Sequence, residues 1–220
     1  RTRNLILPLV IDIDSSFSIE FTYSDRRKES GLFSVSSELA TPQKLSAIKA
    51  VDTVSDTEIM SASLGYRYPS SDGNQVLMLS DVSISGLGDY QMEYYHETSS
   101  FPVHGCSKAD HWGYYNSSAA SGLSGMLPYV RLDQNYDETI LSNWRNPDPA
   151  KSLSGMLKIL RYPTGGHTSY EYEAHDYSRI AVRNSLTLGH YRLDWLNGKT
   201  IAGGLRLKSV TDHASDGTAS

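Results

Sequence analysis

The sequence predicts a mainly β fold: an antiparallel sheet built from successive β-hairpins, with irregular insertions and at most short helices. Three observations predict it. In residues 17–23, "FSIEFTY", apolar and polar side chains alternate, which is typical of a strand with one face in water. The same strand–turn–strand pattern recurs along the chain. The 15 tyrosines and 17 glycines, with frequent Ser, Thr and Val, favour pleated strands joined by tight turns.

Each predicted hairpin has an aliphatic first strand, a turn of small polar residues and a second strand in which aromatic or apolar residues alternate with polar ones. The first strands are residues 5–13, 45–51, 79–84, 157–162 and 205–210. The turns that follow are "DSS", "DTVSDT", "SGLGD", "PTGGH" and "TDHASDG". A lone hairpin cannot bury its apolar face, so we expect the hairpins to lie side by side in one nearly continuous twisted sheet.

A Leu-x-x-aliphatic pair marks each first strand, and each complete second strand closes its alternation on Tyr. These positions are the predicted structural repeat, and the alternating aromatics should share a buried or half-buried face. The repeat residues are Leu79, Val82, Tyr90, Tyr94, Leu157, Leu160, Gly165, Gly166, Tyr170 and Tyr172.

The stretch "YPTGGHTSYEYEAHDY" is interpreted as one such hairpin. Gly165 and Gly166 suit a tight turn because glycine accepts a positive φ. A phosphate-binding loop is excluded because no GxxxxGK[ST] motif is present and no helix pattern follows the glycines.

Two stretches interrupt the rhythm. The first divides the chain into hairpin repeats 1–96, an insertion 97–154 and further repeats 155–220, within one structural domain that we expect to be truncated at both ends. In the insertion, Asp148 could cap a helix of about two turns, with Pro149 at its first position and Gly155 just past its end. In the second stretch, 178–202, Asn197-Gly198 predicts a two-residue turn between strands.

Composition limits the classes of partner and the covalent links that the chain can have. The net charge is −5 and no basic stripe is visible, which disfavours a nucleic-acid partner. No apolar run approaches the roughly 20 residues of a membrane span. Cys106 is the single cysteine, so no internal disulfide can form.

The sequence offers weak candidates for chemistry. Asp12-x-Asp14-x-Ser16 resembles the start of a calcium loop but lacks its Gly and its final Glu. His167, His175 and Asp176 could converge on a metal only if the hairpin folded back. Cys106 lies near two histidines, without a helix start or an oriented base to activate it. We therefore expect no catalytic residue, no metal and no cofactor.

The segment "DHWGYYN" has the most unusual composition in the chain. His111, Trp112, Tyr114 and Tyr115 could bind a ligand, because aromatic faces can stack on sugar rings. Alternatively, the aromatic rings pack against the repeat sheet, with Gly113 allowing the backbone to come close. We expect packing, with Trp112 and at least one of the two tyrosines against the sheet.

Several phrases resemble the RHS/YD-repeat proteins of Bacteroidetes: "GMLKILRYPTGGHTSYEYEAHDYS", "GGLRLKSVTD", "IEFTYSDRRKES" and "KADHWGYYNS". The resemblance implies a large secreted or cell-surface protein whose sheet grows by successive hairpins, in some members into a shell around a C-terminal toxin. Those shells carry a self-cleaving Asp-Pro motif with Gly. Here Asp148-Pro149-Ala150-Lys151 lacks the Gly, so self-cleavage is not expected.

Two functional classes remain open. The first is a non-catalytic structural or adhesive module whose main partner is the rest of the same polypeptide, with a cell-surface glycan or another surface protein as a further partner. The second is a carbohydrate-binding module, or a glycan-active enzyme with paired carboxylates, built around Trp112.

Overall fold

The computed structural model describes residues 9–13, 16–26, 43–69, 76–96, 102, 108–117, 130–132, 138–140, 145–183 and 191–215. Nine strands of this part form one sheet in the order β1-β2-β3-β4-β5-β6-β9-β10-β11. They are β1 Val10–Ile13, β2 Phe17–Arg26, β3 Gln43–Asp52, β4 Thr57–Arg67, β5 Met78–Ile84, β6 Gly88–Tyr94, β9 Leu157–Arg161, β10 His167–Arg183 and β11 Tyr191–His213.

The predicted fold class is confirmed. Neighbouring strands of the sheet are also consecutive in the sequence, with the single exception of β6 and β9, and each neighbouring pair from β1 to β10 is antiparallel. Between β6 and β9 lie the two-stranded pair β7 Val130–Leu132 and β8 Glu138–Ile140, and the helix α1 Pro149–Ser152. The hairpins at 10–26, 43–67, 78–94 and 157–183 are those that the alternation predicts.

The chain forms two compact units. The first contains residues 1–105, 155–170 and 210–220, and the second contains residues 106–154 and 171–209. The first unit holds β1 to β6, β9 and the pairing of β9 with β10. The second holds α1, the aromatic segment around Trp112 and most of β10 and β11.

A β-bulge explains the Leu-x-x-aliphatic spacing. In the pairing of β4 with β5, Leu64 lies opposite Val82 and Tyr66 lies opposite Leu79, with a register shift between them. A spacing of two on β4 therefore matches a spacing of three on β5, because a bulge adds one residue to one strand. Partners in register share a face of the sheet, so Leu79 and Val82 both reach the apolar face despite their odd spacing.

The same register shift recurs in two other pairs of strands. Met92 and Tyr94 on β6 lie opposite Leu160 and Leu157 on β9. Near the β1 edge of the sheet, Tyr23 of β2 lies opposite Leu45 of β3. Each closing tyrosine thus packs beside the leucine of the next hairpin, which makes the two sequence motifs halves of one contact.

Tyrosine hydroxyls tie this contact to the preceding strand. The hydroxyl of Tyr66 donates to the carbonyl oxygen of Leu45 at 2.8 Å, and the hydroxyl of Tyr94 donates to that of Leu79 at 2.8 Å. Both carbonyls belong to residues at a bulge, where the regular ladder is disrupted. We call these two bonds the tyrosine clasps; each joins the two strands of its own hairpin at the position where the next hairpin begins.

The apolar face of the sheet is only partly covered. Met78, which is 8% exposed, is the one buried hydrophobic side chain among the described residues. The predicted repeat side chains Tyr90, Tyr94, Leu160, Tyr170 and Tyr172 are half-buried, as are Leu79, Val82 and Leu157. The first unit therefore derives much of its order from strand pairing and from contacts along one face.

Polar turns close the hairpins. The carboxylate of Asp52 accepts hydrogen bonds from the backbone N–H groups of Val54 at 2.9 Å and Ser55 at 3.2 Å. The bond from Ser55, and then that from Val54, lowers the pKa of Asp52 because both favour its charged form. At the β9–β10 turn, Gly165 has φ +90° and its N–H donates to Tyr162.

The turn predicted at Asn197-Gly198 is wrong. Strand β11 runs from Tyr191 to His213 without interruption, and β10 extends to Arg183. Gly198 does have a positive φ of +101°, but within a strand such a glycine is accommodated as a local irregularity and does not require a chain reversal.

The tyrosine clasps predict a specific pattern of stability. Tyr66→Phe and Tyr94→Phe should each lower the free energy of unfolding by about 1 kcal/mol, because each leaves a half-buried carbonyl without its donor. Tyr90→Phe is the matched control, since its ring packs edge-on against Tyr162 and its hydroxyl has no hydrogen bond among the described residues. Urea unfolding followed by circular dichroism measures the three variants; equal losses in all of them would contradict the role of the clasps.

Candidate functional site

The segment around Trp112 folds into a tight turn organised by Asp110. One carboxylate oxygen of Asp110, Oδ1, accepts hydrogen bonds from the backbone N–H groups of Trp112 at 2.8 Å and Tyr114 at 2.9 Å. The N–H of Asp110 donates to the carbonyl of Tyr114 at 2.8 Å. Short Asp side chains favour such turns because they bond to backbone a few residues ahead. Gly113 supplies the positive φ, +94°, that the turn needs. We call residues 110–114 the aromatic turn.

Residues just before α1 anchor the aromatic turn. The Arg145 guanidinium donates from Nη2 to the carbonyl of Asp110 at 2.8 Å, and the N–H of His111 donates to the carbonyl of Arg145 at 3.1 Å. The side-chain amide of the buried Asn116 donates to the carbonyl of Asn146 at 3.0 Å. These reciprocal bonds hold both ends of the turn against one short stretch of chain.

The helix α1 adds a further anchor. Its predicted cap is confirmed: Asp148 accepts from the N–H of Lys151 at 3.1 Å, and Pro149 occupies the first turn. The helix ends at Ser152, after about one turn instead of the predicted two. The hydroxyl of Ser152 donates to the carbonyl of Tyr115 at 3.1 Å, so α1 contacts the residue that directly follows the aromatic turn.

Two consecutive glycines of β11 receive the aromatic turn. A Cβ on Gly203 would lie 2.8 Å from both Cβ and Cε3 of Trp112, and 2.5 Å from Oδ2 of Asp110. A Cβ on Gly204, where φ is +87°, would lie 2.7–2.9 Å from the ring and hydroxyl of Tyr114. Trp112 and Tyr114 thus lie against β11 as expected, but about half of each side chain remains exposed, and the glycines that permit close approach are Gly203 and Gly204. A Cβ on Gly113 would meet no atom within 4 Å, so Gly113 is needed for its φ alone.

The two rings pack on one side and remain open on the other. Trp112 is 50% exposed and Tyr114 is 48% exposed. The exposed His111 stands edge-on to Trp112, with ring centroids 6.2 Å apart and planes at 84°. Tyr115 is half-buried. The structure thus brings together all four predicted ligand-binding residues, with Trp112, Tyr114 and His111 on the solvent side.

Asp110 is unusual because it is wholly buried. It has no exposed surface, and its Oδ2 atom has no hydrogen-bond partner among the residues that the structure describes. A buried carboxylate oxygen without a partner is costly. The sequence pattern "DHWGYYN" contained Asp110, but burial against Gly203 depends on a contact about ninety positions away and could not be inferred from it.

His167, His175 and Asp176, which the sequence offered as a weak candidate for a metal site, have separate contacts in the structure. The ring of His167 stacks on that of His213, with centroids 4.3 Å apart and planes at 7°, and the hydroxyl of Ser169 lies 3.0 Å from Nε2 of His213. Asp176 instead pairs with Lys199 at 3.2 Å. Among the described residues, no three side chains of the His, Cys, Asp and Glu types converge as metal ligands. Residues 103–107, which include Cys106, lie outside the described part.

The serine–histidine pair is chemically incomplete in the described part of the chain. A nucleophile needs a base that a third group orients, and neither imidazole there bonds to a carboxylate. The neighbouring Asp212 instead accepts from the buried Thr168 at 2.5 Å. Sequence reasoning missed this pair because Ser169 and His213 are 44 positions apart.

A half-buried polar network lies beside this pair. The hydroxyl of Tyr162 is 2.8 Å from that of Thr168, which donates to Asp212. Burial raises the pKa of Tyr170, and the nearby Tyr162 and the negative charge of Asp212 raise it further. The network explains why a polar residue, Thr168, is tolerated on the buried face of β10.

Comparison of the chain with protein-family models, with curated proteins and with solved structures finds no match. None of the helices in the described ranges has the length and apolar character that crossing a bilayer requires.

The glycine pair predicts a contact-specific cost. Gly204→Ala should detach the aromatic turn, because the new Cβ would overlap the ring of Tyr114. Gly198→Ala is the matched control: it lies in the same strand with a similar positive φ, but a Cβ there meets no atom within 4 Å. Fluorescence of Trp112, with Trp144 and Trp195 replaced by Phe, should become more red-shifted and more easily quenched by acrylamide in Gly204→Ala alone. The same change in Gly198→Ala would show that backbone strain, and not the contact, matters.

Proposed function

We propose that this chain is a non-catalytic structural module of a large exported or cell-surface protein, and that further strands of the same polypeptide continue its sheet. The proposal rests on the resemblance to RHS/YD-repeat proteins and on the way in which the hairpins join. In a member of that family whose sheet closes into a shell around a C-terminal effector, this module would form part of the wall.

The edge of the sheet at β1 carries the proposal. Val10, Ile11 and Ile13 are all exposed, in a strand of only four residues. Natural proteins guard a free edge with charges, proline or a bulge, because unpaired backbone groups invite another strand. In β1, Asp12 is the single charged residue. An apolar, weakly guarded edge is suited to pairing with a further strand.

The joining of hairpins supports the same conclusion. The tyrosine of each clasp lies half-buried opposite the leucine of the next hairpin. Further hairpins could be added to the sheet through the same contact. Repeat proteins are built in this way, since each unit contacts mainly its neighbours and buries its face only through them.

The acidic side chains of the sheet favour a structural role over glycoside hydrolysis. Glu93 pairs with Arg161 at 2.8 Å, and Glu173 pairs with Arg206 at 2.7 Å. Glu171 lies 3.4 Å from Lys208. A glycosidase needs two free carboxyl groups on either side of a bound sugar, whereas these carboxylates are held in exposed cross-strand pairs.

Within the described part of the chain, β1 has a neighbouring strand on one side only, and this edge predicts self-association. At high protein concentration the chain should form oligomers, and Ile11→Lys should shift it towards monomer by placing a charge on the edge. Ile59→Lys is the control, since Ile59 is also exposed but belongs to the internal strand β4. Sedimentation velocity over a range of concentrations measures both. A chain that stays monomeric throughout, or an equal effect of Ile59→Lys, would contradict the proposal.

A second candidate function is carbohydrate binding at the aromatic turn. The observation that favours it is the combination of fixed position and exposure: Trp112 and Tyr114 are held from below by Gly203 and Gly204, yet about half of each side chain faces solvent. Rigid aromatic faces suit stacking on sugar rings, and His111 adds a polar group beside Trp112.

Affinity electrophoresis tests this second function. Gels that contain a polysaccharide should retard the chain, and Trp112→Ala should restore its migration. Trp195→Ala serves as the control because Trp195 is exposed elsewhere. Retardation that survives Trp112→Ala, or no retardation in a broad panel of polysaccharides, would rule out the aromatic turn as a glycan site.

A further inference from the structure

The second unit contains a two-stranded ribbon formed by residues 171–183 of β10 and 191–209 of β11. Cross-strand ion pairs join its strands: Arg206 to Glu173 at 2.7 Å and Lys199 to Asp176 at 3.2 Å. The pairing with Glu173 raises the pKa of Arg206 and so favours the charged pair. These ion pairs give the charged side chains in the middle of the ribbon a structural role. They do not involve the end of the ribbon at which β11 begins.

The far end presents three large apolar side chains to solvent. Tyr191, Leu193 and Trp195 alternate along β11 and therefore point to one side of the strand. They are 70%, 66% and 67% exposed. At such exposure the three side chains present roughly 300–400 Å² of mostly apolar surface, which is as large as the largest patch on many monomers. We call them the ribbon patch.

A positively charged side chain, that of Arg179, stacks on the ribbon patch. The guanidinium of Arg179 on β10 is 3.7 Å from the ring centroid of Trp195. Stacking leaves the donors of Arg179 free to bond outward. No carboxylate pairs with Arg179 among the described residues, whereas the neighbouring Arg192 pairs with Asp194 at 3.0 Å. The patch thus combines apolar side chains with an uncompensated positive charge.

Charge is distributed unevenly along the sequence. Residues 176–200, which include both partners of the Lys199–Asp176 pair, hold four basic and two acidic residues, a net of +2. The whole chain carries −5, so the remaining residues carry −7. The ribbon patch therefore belongs to a segment whose net charge is opposite in sign to that of the rest of the sequence.

We propose that the ribbon patch, with Arg179, binds the surface of an anionic phospholipid membrane. Trp and Tyr favour the headgroup region, where their rings sit between water and hydrocarbon. Leu193 can enter the acyl boundary, and Arg179 can keep its charge among the lipid phosphates. Anionic lipids attract basic segments near the surface, so the net charge of +2 on residues 176–200 would favour this segment as the contact.

Other partners fit the patch less well. A sugar ring would stack on Trp195 but would gain nothing from Leu193. Nucleic acid would require a larger basic surface, because phosphate contacts dominate its affinity. A protein partner, including a second copy of this chain, would bury the same apolar side chains without requiring an anionic surface, which makes the dependence on lipid charge the decisive observation.

Vesicle binding by the 220-residue chain tests the proposal. With Trp112 and Trp144 replaced by Phe, the fluorescence of Trp195 should shift to the blue with vesicles of phosphatidylcholine and phosphatidylglycerol, and much less with phosphatidylcholine alone. Added salt should weaken the binding, because it screens the charges. Co-sedimentation gives the partition coefficient independently of the fluorophore.

Matched substitutions locate the contact. Leu193→Ser should lower the partition coefficient roughly tenfold, as expected for losing one buried Leu side chain, and Arg179→Glu should abolish the preference for anionic vesicles. Leu207→Ser is the control, since Leu207 is an exposed leucine of the same strand outside the patch. Far-UV circular dichroism checks that each variant is folded.

Three results would overturn the proposal. The first is the absence of binding to either vesicle, and the second is binding that is indifferent to lipid charge. The third is an equal loss in Leu207→Ser. A chain that ignores vesicles but self-associates through Leu193 would assign the ribbon patch to a protein partner instead.

Discussion

The tyrosine clasp is the contact on which the regular part of this molecule depends. A bulge on one strand frees a leucine carbonyl from the ladder, and a tyrosine hydroxyl from the neighbouring strand of the same hairpin binds that carbonyl. The ring of the same tyrosine then lies opposite the leucine of the next hairpin. One side chain thereby fixes the register, satisfies a polar group and supplies apolar area. Because Met78 is the one buried hydrophobic side chain among the described residues, such local contacts must stabilise much of the sheet.

The insertion 97–154 and the stretch 178–202, which both interrupt the hairpin pattern, depend on glycines in β11. Gly203 and Gly204 remove side chains where the aromatic turn needs to approach the strand. Gly198 takes a positive φ with open space around it. The same strand carries the ribbon patch at its start, so a single element both contacts the inserted segment and presents three exposed apolar side chains.

The sequence predicted the hairpins because alternation is local: "FSIEFTY" and its counterparts reveal which face of each strand is apolar without reference to distant residues. The Leu-x-x-aliphatic spacing on each first strand is explained by the bulges seen in the structure. Two residues three apart on one strand lie opposite two residues two apart on its neighbour, which requires one extra residue. The cap at Asp148 and Pro149 was predictable for the same reason, because a helix start depends on neighbours in the chain.

Contacts between distant segments were not predictable. Asn197-Gly198 favours a turn locally, but the pairing of β10 with β11 overrides that preference. The aromatic turn was expected to approach the sheet through Gly113, whereas the space is made by Gly203 and Gly204, about ninety positions later. The stacking of His167 on His213 joins segments whose spacing follows no motif, and a metal or nucleophile search by spacing could not find it.

The central claim is that stability is concentrated in the two hairpins that contain the tyrosine clasps, and that the outer edge of β1 can pair with a further strand. Hydrogen exchange followed by mass spectrometry tests it most directly, at a concentration where the chain is monomeric. The account predicts slow exchange in Met78–Ile84 and Gly88–Tyr94, where strands are paired on both sides, and exchange that is faster by orders of magnitude in Val10–Ile13. Protection of Val10–Ile13 equal to that of Met78–Ile84 would show that the edge is already satisfied and would contradict the account.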